Sequence, residues 1–252
     1  MSNGLMANSD DGSPAYTTAL LILLGCLLVS AYAWFAIDGM RGTAVSAMAA
    51  IAVQKSTAPI NNSNATIGPS GKSLTFSLGG QTFTRETNGD IKSPIVIAEF
   101  SDFQCPYCMQ AVPTIQALEK KYAGQVQIVH MNFVVHSGAR LAALAAECAG
   151  EQGQYWAMHD AIFSQQKYDK AGLTQIAQGL GMDGAKLGAC LDSGKYESAI
   201  DAEQAAGTSI GVDGTPTFMI GKIVNGQLTG KTVVGALPLA DFETAVQAAQ
   251  SS

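Results

Sequence analysis

The chain has 252 residues, 47% of them hydrophobic and spread along its length, which excludes a wholly disordered, collagenous or coiled-coil protein and fits one or two globular domains. Only 13% are charged, and 14 basic against 20 acidic residues leave a formal charge of -6, so no nucleic-acid partner held by a basic face is expected. Five cysteines, Cys26, Cys105, Cys108, Cys148 and Cys190, are too few for a disulfide-built miniprotein in a chain this long.

Residues 1–14 read as a short N-terminal tail. The run from Ala15 to Ile37 carries no charge, with Tyr16 near one end and Tyr32 and Trp34 near the other. Its length and aromatic ends predict a single N-terminal transmembrane helix or signal anchor. Two other fates are open to it. Ala31-Tyr32-Ala33 has the small-x-small shape of a signal-peptidase site, although no Lys or Arg precedes the run. Leu23-Leu24-Gly25-Cys26 faintly resembles a lipoprotein box, behind too short an apolar stretch. Asp10 and Asp11 before the span and Arg41 after it would, taken literally, place the C-terminal side in the cytoplasm; long downstream domains cross largely regardless of such charges. Residues 38–71, rich in Gly, Ala, Ser, Thr and Asn, read as a flexible linker.

The folded domain is expected over 72–252. LTFSL and QTFT alternate apolar and polar residues around Gly79-Gly80, which reads as a short hairpin at a sheet edge. Ile95 to Phe100, IVIAEF, is a continuous apolar run suited to a strand buried on both faces. A helix follows from about Cys108 to Tyr122, and VQIVHMNFVV supplies a second buried strand, completing a βαβ unit. Residues 138–209 read as a helical insertion, with Leu141, Leu144, Ala145 and Cys148 and then Trp156, His159 and Phe163 at helical spacing. Strand character returns in TFMI and KTVV, with Asn225-Gly226 as a turn between them, and LADFETAVQAA closes the chain as a helix. The fold class is α/β, a mixed sheet interrupted by a helical subdomain.

The chemistry centres on Cys105-Pro106-Tyr107-Cys108. The motif follows a buried strand and begins a helix, where unpaired backbone N-H groups and the macrodipole stabilise a thiolate. Cys105 is expected to be the acidic, exposed thiol, and Cys108, one turn on, to resolve a mixed disulfide formed at Cys105. A C-x-x-C pair also begins many zinc modules, but no second C-x-x-C or H-x-x-x-H completes one here, so no metal is expected.

EFSDFQCPYC, the helix with Pro113, CAGEQGQYWAMHDAIF and GVDGTPTFMIG resemble the DsbA-like branch of the thioredoxin superfamily. The resemblance covers about residues 93–250. It implies a thioredoxin fold with a helical insertion and thiol-disulfide exchange without a cofactor. By the same resemblance Cys105 matches the attacking cysteine, Cys108 the resolving one, and Pro216 a cis-proline whose loop faces the disulfide. A cis turn there would leave the Thr215 N-H and C=O free for an extended substrate strand; an ordinary proline at a strand start is the other reading. Pro106 and Tyr107 complete the expected substrate-facing surface and tune thiolate stability.

Glu99 resembles in position the buried acid under the active site of thioredoxin-like proteins. A desolvated carboxyl there would take a proton from Cys108 as that sulfur attacks. The other reading is a partly exposed strand-end glutamate, and Asp102 is a weaker candidate for the same role. Pro113 predicts a kink within its helix. Cys148 and Cys190 both fall in the helical insertion, and a disulfide between them would close a loop of about 43 residues, worth roughly 4 kcal/mol. Two buried free cysteines would be preferred in a cytosolic domain. His130, His136 and His159 lack ligand spacing; His130 and His159 read as structural, and Tyr155 and Trp156 as helix-face core.

The sequence therefore points to a membrane-tethered thiol:disulfide oxidoreductase on the extracytoplasmic side. It would oxidise cysteine-containing exported proteins and be reoxidised by a membrane partner. A tethered reductase remains open because Pro-Tyr between the cysteines resembles glutaredoxins. An isomerase is less favoured, since residues 38–92 look short for a dimerisation domain. From a different class, two thiolates could hold a soft metal such as Cu(I) for delivery.

Overall fold

The computed structural model describes residues 72–252; the expected tail, membrane helix and linker lie outside them. Among the described residues no helix is long and apolar enough to cross a membrane.

Strands β1 (Ser73–Leu78) and β2 (Gln81–Gly89) form an antiparallel hairpin, with Leu78 opposite Gln81. Gly79 and Gly80 adopt φ of 58° and 79°, the left-handed pair that a two-residue hairpin needs and glycine supplies without steric cost. Strand β3 (Ile95–Ser101) lies parallel to β4 (Val126–Asn132), in register from Ile95 opposite Val126 to Ser101 opposite Asn132. Every residue of both strands is buried. Helix α1 (Pro106–Lys121) makes the crossover between them. It starts two residues earlier than the sequence suggested, because Pro106 occupies the first turn, where its fixed φ fits and its missing N-H is not needed. Pro113 lies inside this helix, which continues unbroken across it.

The chain then leaves the sheet for the helical insertion: α2 (Ala139–Gly150), α3 (Tyr155–Gln165), α4 (Lys170–Gly179), α5 (Gly184–Ser193) and α6 (Glu197–Ser209). Asp169 and Asp183 cap α4 and α5 by accepting first-turn N-H groups, the usual reason for an aspartate at that position. Cys148 on α2 and Cys190 on α5 are joined in a disulfide, with Cα atoms 5.8 Å apart. Strand β5 (Thr217–Val224) returns antiparallel to β3, β6 (Gln227–Val234) pairs with β5 across the Asn225-Gly226 turn, and α7 (Leu239–Ser251) ends the chain.

The strand order is β1-β2-β4-β3-β5-β6, and a single parallel pairing of Ser77 with Gln227 joins the two ends. The hairpin expected at a free edge instead closes the sheet. The Ser77 N-H donates to the Gly226 carbonyl at 2.7 Å, which satisfies a group that an open edge would leave unpaired.

Alternation along β3 separates two cores. Val96, Ala98 and Phe100 pack with residues of α6, while Ile95 and Ile97 pack with α1 and α7. Glu99 and Ser101 continue the second row, so strand period alone aims them toward the side covered by α1. The insertion has its own core, and Phe103, Cys105 and Cys108 belong to it. The reactive turn is thus packed against the helices rather than lying free on the sheet.

A buried polar network ties the hairpin to the insertion. Arg85 of β2 bonds Glu147 of α2 at 2.6 Å and Glu203 of α6 at 2.8 Å. Asn132 donates to Glu203 from its backbone N-H at 2.7 Å and its side chain at 2.8 Å. Tyr155 accepts from Arg85 at 3.2 Å and meets His130 Nδ1 at 2.9 Å. Sequence reading missed this network, although alternation places Arg85 on the same face as the buried Phe83.

Candidate active site

The end of β3 delivers the chain into a short turn whose geometry Asp102 fixes. One carboxylate oxygen accepts from the Gln104 N-H at 2.7 Å, and the other from the N-H groups of Val135 and His136 at 2.6 and 2.8 Å. Gln104 Oε1 accepts from the Gly138 N-H at 2.7 Å. The β4–α2 connection is therefore pinned to the reactive turn. Asp102, weighed above as a proton acceptor, has both oxygens bonded to backbone and acts as a brace.

Cys105 occupies the N-cap of α1 in extended conformation, and its carbonyl accepts from the Met109 N-H at 3.1 Å. The residue is 5% exposed, which corrects the expectation of an exposed thiol. The helical insertion and the Thr215-Pro216 loop close around it, and its Sγ donates to the Thr215 carbonyl at 3.4 Å. The Thr215-Pro216 peptide is cis. Pro216 is buried, its carbonyl bonded by the Gly235 N-H at 2.8 Å. Pro106 and Tyr107 stand on the surface beside this mouth, Tyr107 63% exposed.

Cys108 lies one turn along α1, fully buried. Burial pushes its thiol up to about 12, against the opposing pull of the Asp102 N-H, Ser101 and Thr215. The Asp102 N-H donates to its sulfur at 3.5 Å. Both cysteines are free thiols here, in unlike settings: one at a helix N-terminus beside the Thr215 carbonyl, the other desolvated behind it.

Glu99 is buried, not the partly exposed strand-end residue of the alternative reading. Burial raises its carboxyl above the usual range, while His159 and Ser101 pull it down and Asp160 pushes it up. Ser101 neighbours the Glu99 carboxyl and the Cys108 sulfur alike. Glu99 Oε1 has no hydrogen-bond partner. His130, Tyr155, Trp156 and His159 form an aromatic cluster around Phe103 on this side. Among the described residues no group of three or more His, Cys, Asp or Glu side chains is arranged to hold a metal.

Residues 82–238 match the thioredoxin family. The chain belongs to that family. A thioredoxin-like oxidoreductase from Silicibacter pomeroyi superposes with a TM-score of 0.60 at 25% identity, covering 67% of this chain and 93% of the other. The probable disulfide bond formation protein D of Bacillus anthracis is 33% identical over 92 residues, 34% of this chain and 42% of its own. The Na(+)/H(+) antiporter NhaA 3 of Salinispora tropica is 32% identical over 167 residues, 65% of this chain. This chain spans only 26% of the antiporter's length.

Proposed function

We propose that this DsbA-like protein oxidises cysteine pairs of exported proteins through a Cys105/Cys108 dithiol-disulfide cycle. The observation that carries the reading is the inequality of the two thiols, Cys105 at the start of α1 beside the Thr215 carbonyl and Cys108 buried and pushed up to about 12. A substrate thiolate attacks Cys105 Sγ in the disulfide form, the Cys105–Cys108 bond breaks, and Cys108 leaves with the electron pair and takes up a proton. A second substrate thiolate then attacks the substrate sulfur of the mixed disulfide. Cys105 departs as a thiolate, which the helix N-terminus stabilises. Such stabilisation of the reduced form makes a disulfide more oxidising.

The protein is tethered by the Ala15–Ile37 run, with its catalytic domain on the extracytoplasmic side. The Cys148–Cys190 disulfide supports that placement, since structural disulfides persist mainly in oxidising compartments. A membrane partner reoxidises the pair. Thr215, Pro216, Pro106 and Tyr107 form the surface that meets substrate. The Pro-Tyr dipeptide favours a second reading, a tethered reductase.

The equilibrium reduction potential of Cys105 and Cys108, titrated against glutathione, decides between them. A value of about -120 to -180 mV supports the oxidase, and one near -270 mV overturns it in favour of the reductase.

A further inference from the structure

Each turn of the proposed cycle moves a proton to or from the buried Cys108 sulfur, and Glu99, also buried, cannot discharge that proton to water directly. Two histidines flank it. His130 sits opposite Glu99 in the β3–β4 register, and its ring packs 4.9 Å from that of His159. His130 leads inward: its Nδ1 meets Tyr155, and Tyr155 meets Arg85, itself held between Glu147 and Glu203. That path ends on a buried cation. His159 leads outward. Its side chain is 5% exposed, its Nδ1 lies 2.9 Å from Asp160 Oδ1, and the Asp160 side chain is 48% exposed. Gln116 of α1 donates to the other Asp160 oxygen at 3.5 Å, which holds this exit against the helix that carries Cys108.

We propose that His159 and Asp160 conduct the proton that Glu99 exchanges with Cys108 between the buried site and solvent. The inference rests on the thiol-exchange reading of Cys105 and Cys108. When Nδ1 is the donor to Asp160, the lone pair of an uncharged imidazole lies at Nε2. That atom is buried without a partner, as is Glu99 Oε1. As Cys108 attacks the mixed disulfide at Cys105, a new Cys105–Cys108 bond forms, and the substrate sulfur departs with the electron pair. The Cys108 proton passes by way of Ser101 to the Glu99 carboxylate. Glu99 then passes a proton to His159 Nε2, and the Nδ1 proton leaves through Asp160 to water. Disulfide opening runs the same sequence backwards. The groups facing this route are Cys108 and Glu119 from α1, His130 from β4, Tyr155 from α3 and, behind Tyr155, Arg85 from β2. Burial, with the Arg85 charge adding to it, holds His130 well below its ordinary value and hence neutral.

The test uses the full-length reduced protein and a chromogenic aromatic disulfide, followed by stopped flow. Attack by Cys105 releases one coloured thiol, and resolution by Cys108 releases the second. In His159→Phe, whose ring keeps the aromatic packing, the second phase should slow about tenfold or more, less than the roughly hundredfold or greater loss typical of the group that itself exchanges the proton with the reacting atom. In Asp160→Asn it should slow less and change its dependence on pH, and Asp160→Glu should restore the wild-type profile. Asp160 is half exposed, so its variants decide the matter even if His159→Phe fails to fold. Second phases in His159→Phe and Asp160→Asn that overlay wild type in rate and pH profile overturn the inference alone. A second phase that is absent in wild type, or that persists in Cys108→Ser, overturns the thiol-exchange reading and the inference with it.

Discussion

Glu99 illustrates how a single buried carboxyl makes stability depend on pH. Its ionised form is disfavoured by burial, so the folded protein keeps a proton that the unfolded chain has already released at mildly acidic pH. A carboxyl raised in the folded state takes stability away as pH climbs from the unfolded value through the folded one. Glu99→Gln should therefore leave the melting temperature unchanged below about pH 4, where both states are protonated, and raise it by a few degrees above about pH 8. Thermal melts of the two proteins across that range check the sign, and a variant less stable at every pH would contradict it. The sequence made Glu99 visible only through its spacing from Cys105 and the family likeness. Its aim toward α1 follows from strand alternation, but nothing in the sequence placed His159 and Asp160 beside it. Those residues arrive from a helix some sixty positions later in the chain, and their side-chain bond reads from sequence as two ordinary neighbours on one helix.

At the scale of elements, the boundaries most accurately legible were those marked by punctuation residues. Asn225 and Gly226 take φ of 51° and 80°, the conformation for which that dipeptide is the strongest short-range signal. The bare apolar runs of β3 and β4 were equally clear, because strands buried on both faces have no alternation to hide. The seating of the hairpin was not legible, since one long-range pairing at Ser77 decides it. Within the insertion, α2 and α5 are linked by the Cys148–Cys190 bond across 42 positions. Replacing both cysteines by alanine frees that loop in the unfolded ensemble, and stability should fall by about 2–4 kcal/mol. Urea denaturation measures this, and an unchanged midpoint would mean that helix packing alone holds the two helices together.

Across the whole molecule, Arg85, Glu147 and Glu203 bring β2, α2 and α6 to one buried point. Two carboxylates against one guanidinium, all largely buried, would leave an excess negative charge if both were ionised. Burial, reinforced by Glu147 and opposed by Arg85 and Asn132, raises Glu203 to about 7. The sign follows as for Glu99: between the ordinary carboxylate range and about neutrality the folded state holds a proton the unfolded chain has lost, so stability falls as pH rises through that window. Glu203→Gln should flatten this dependence in denaturation curves taken at about pH 5 and pH 8. Arg85→Met should be far more costly, on the order of 3–5 kcal/mol, because it strands both carboxylates. A milder loss would show that water reaches the cluster.

The brace at Asp102 bears on how a partner is met. With the reactive turn and the β4–α2 connection already bonded to one carboxylate, the rim around Cys105 carries little conformational freedom to lose on association. The entropy of ordering must then come from the incoming chain. A cysteine fixed within a folded domain has no slack with which to reach the sulfur of a residue that is 5% exposed. On the thiol-exchange reading, a rigid mouth of this kind selects by the pliancy of its substrate, favouring polypeptides caught before they fold.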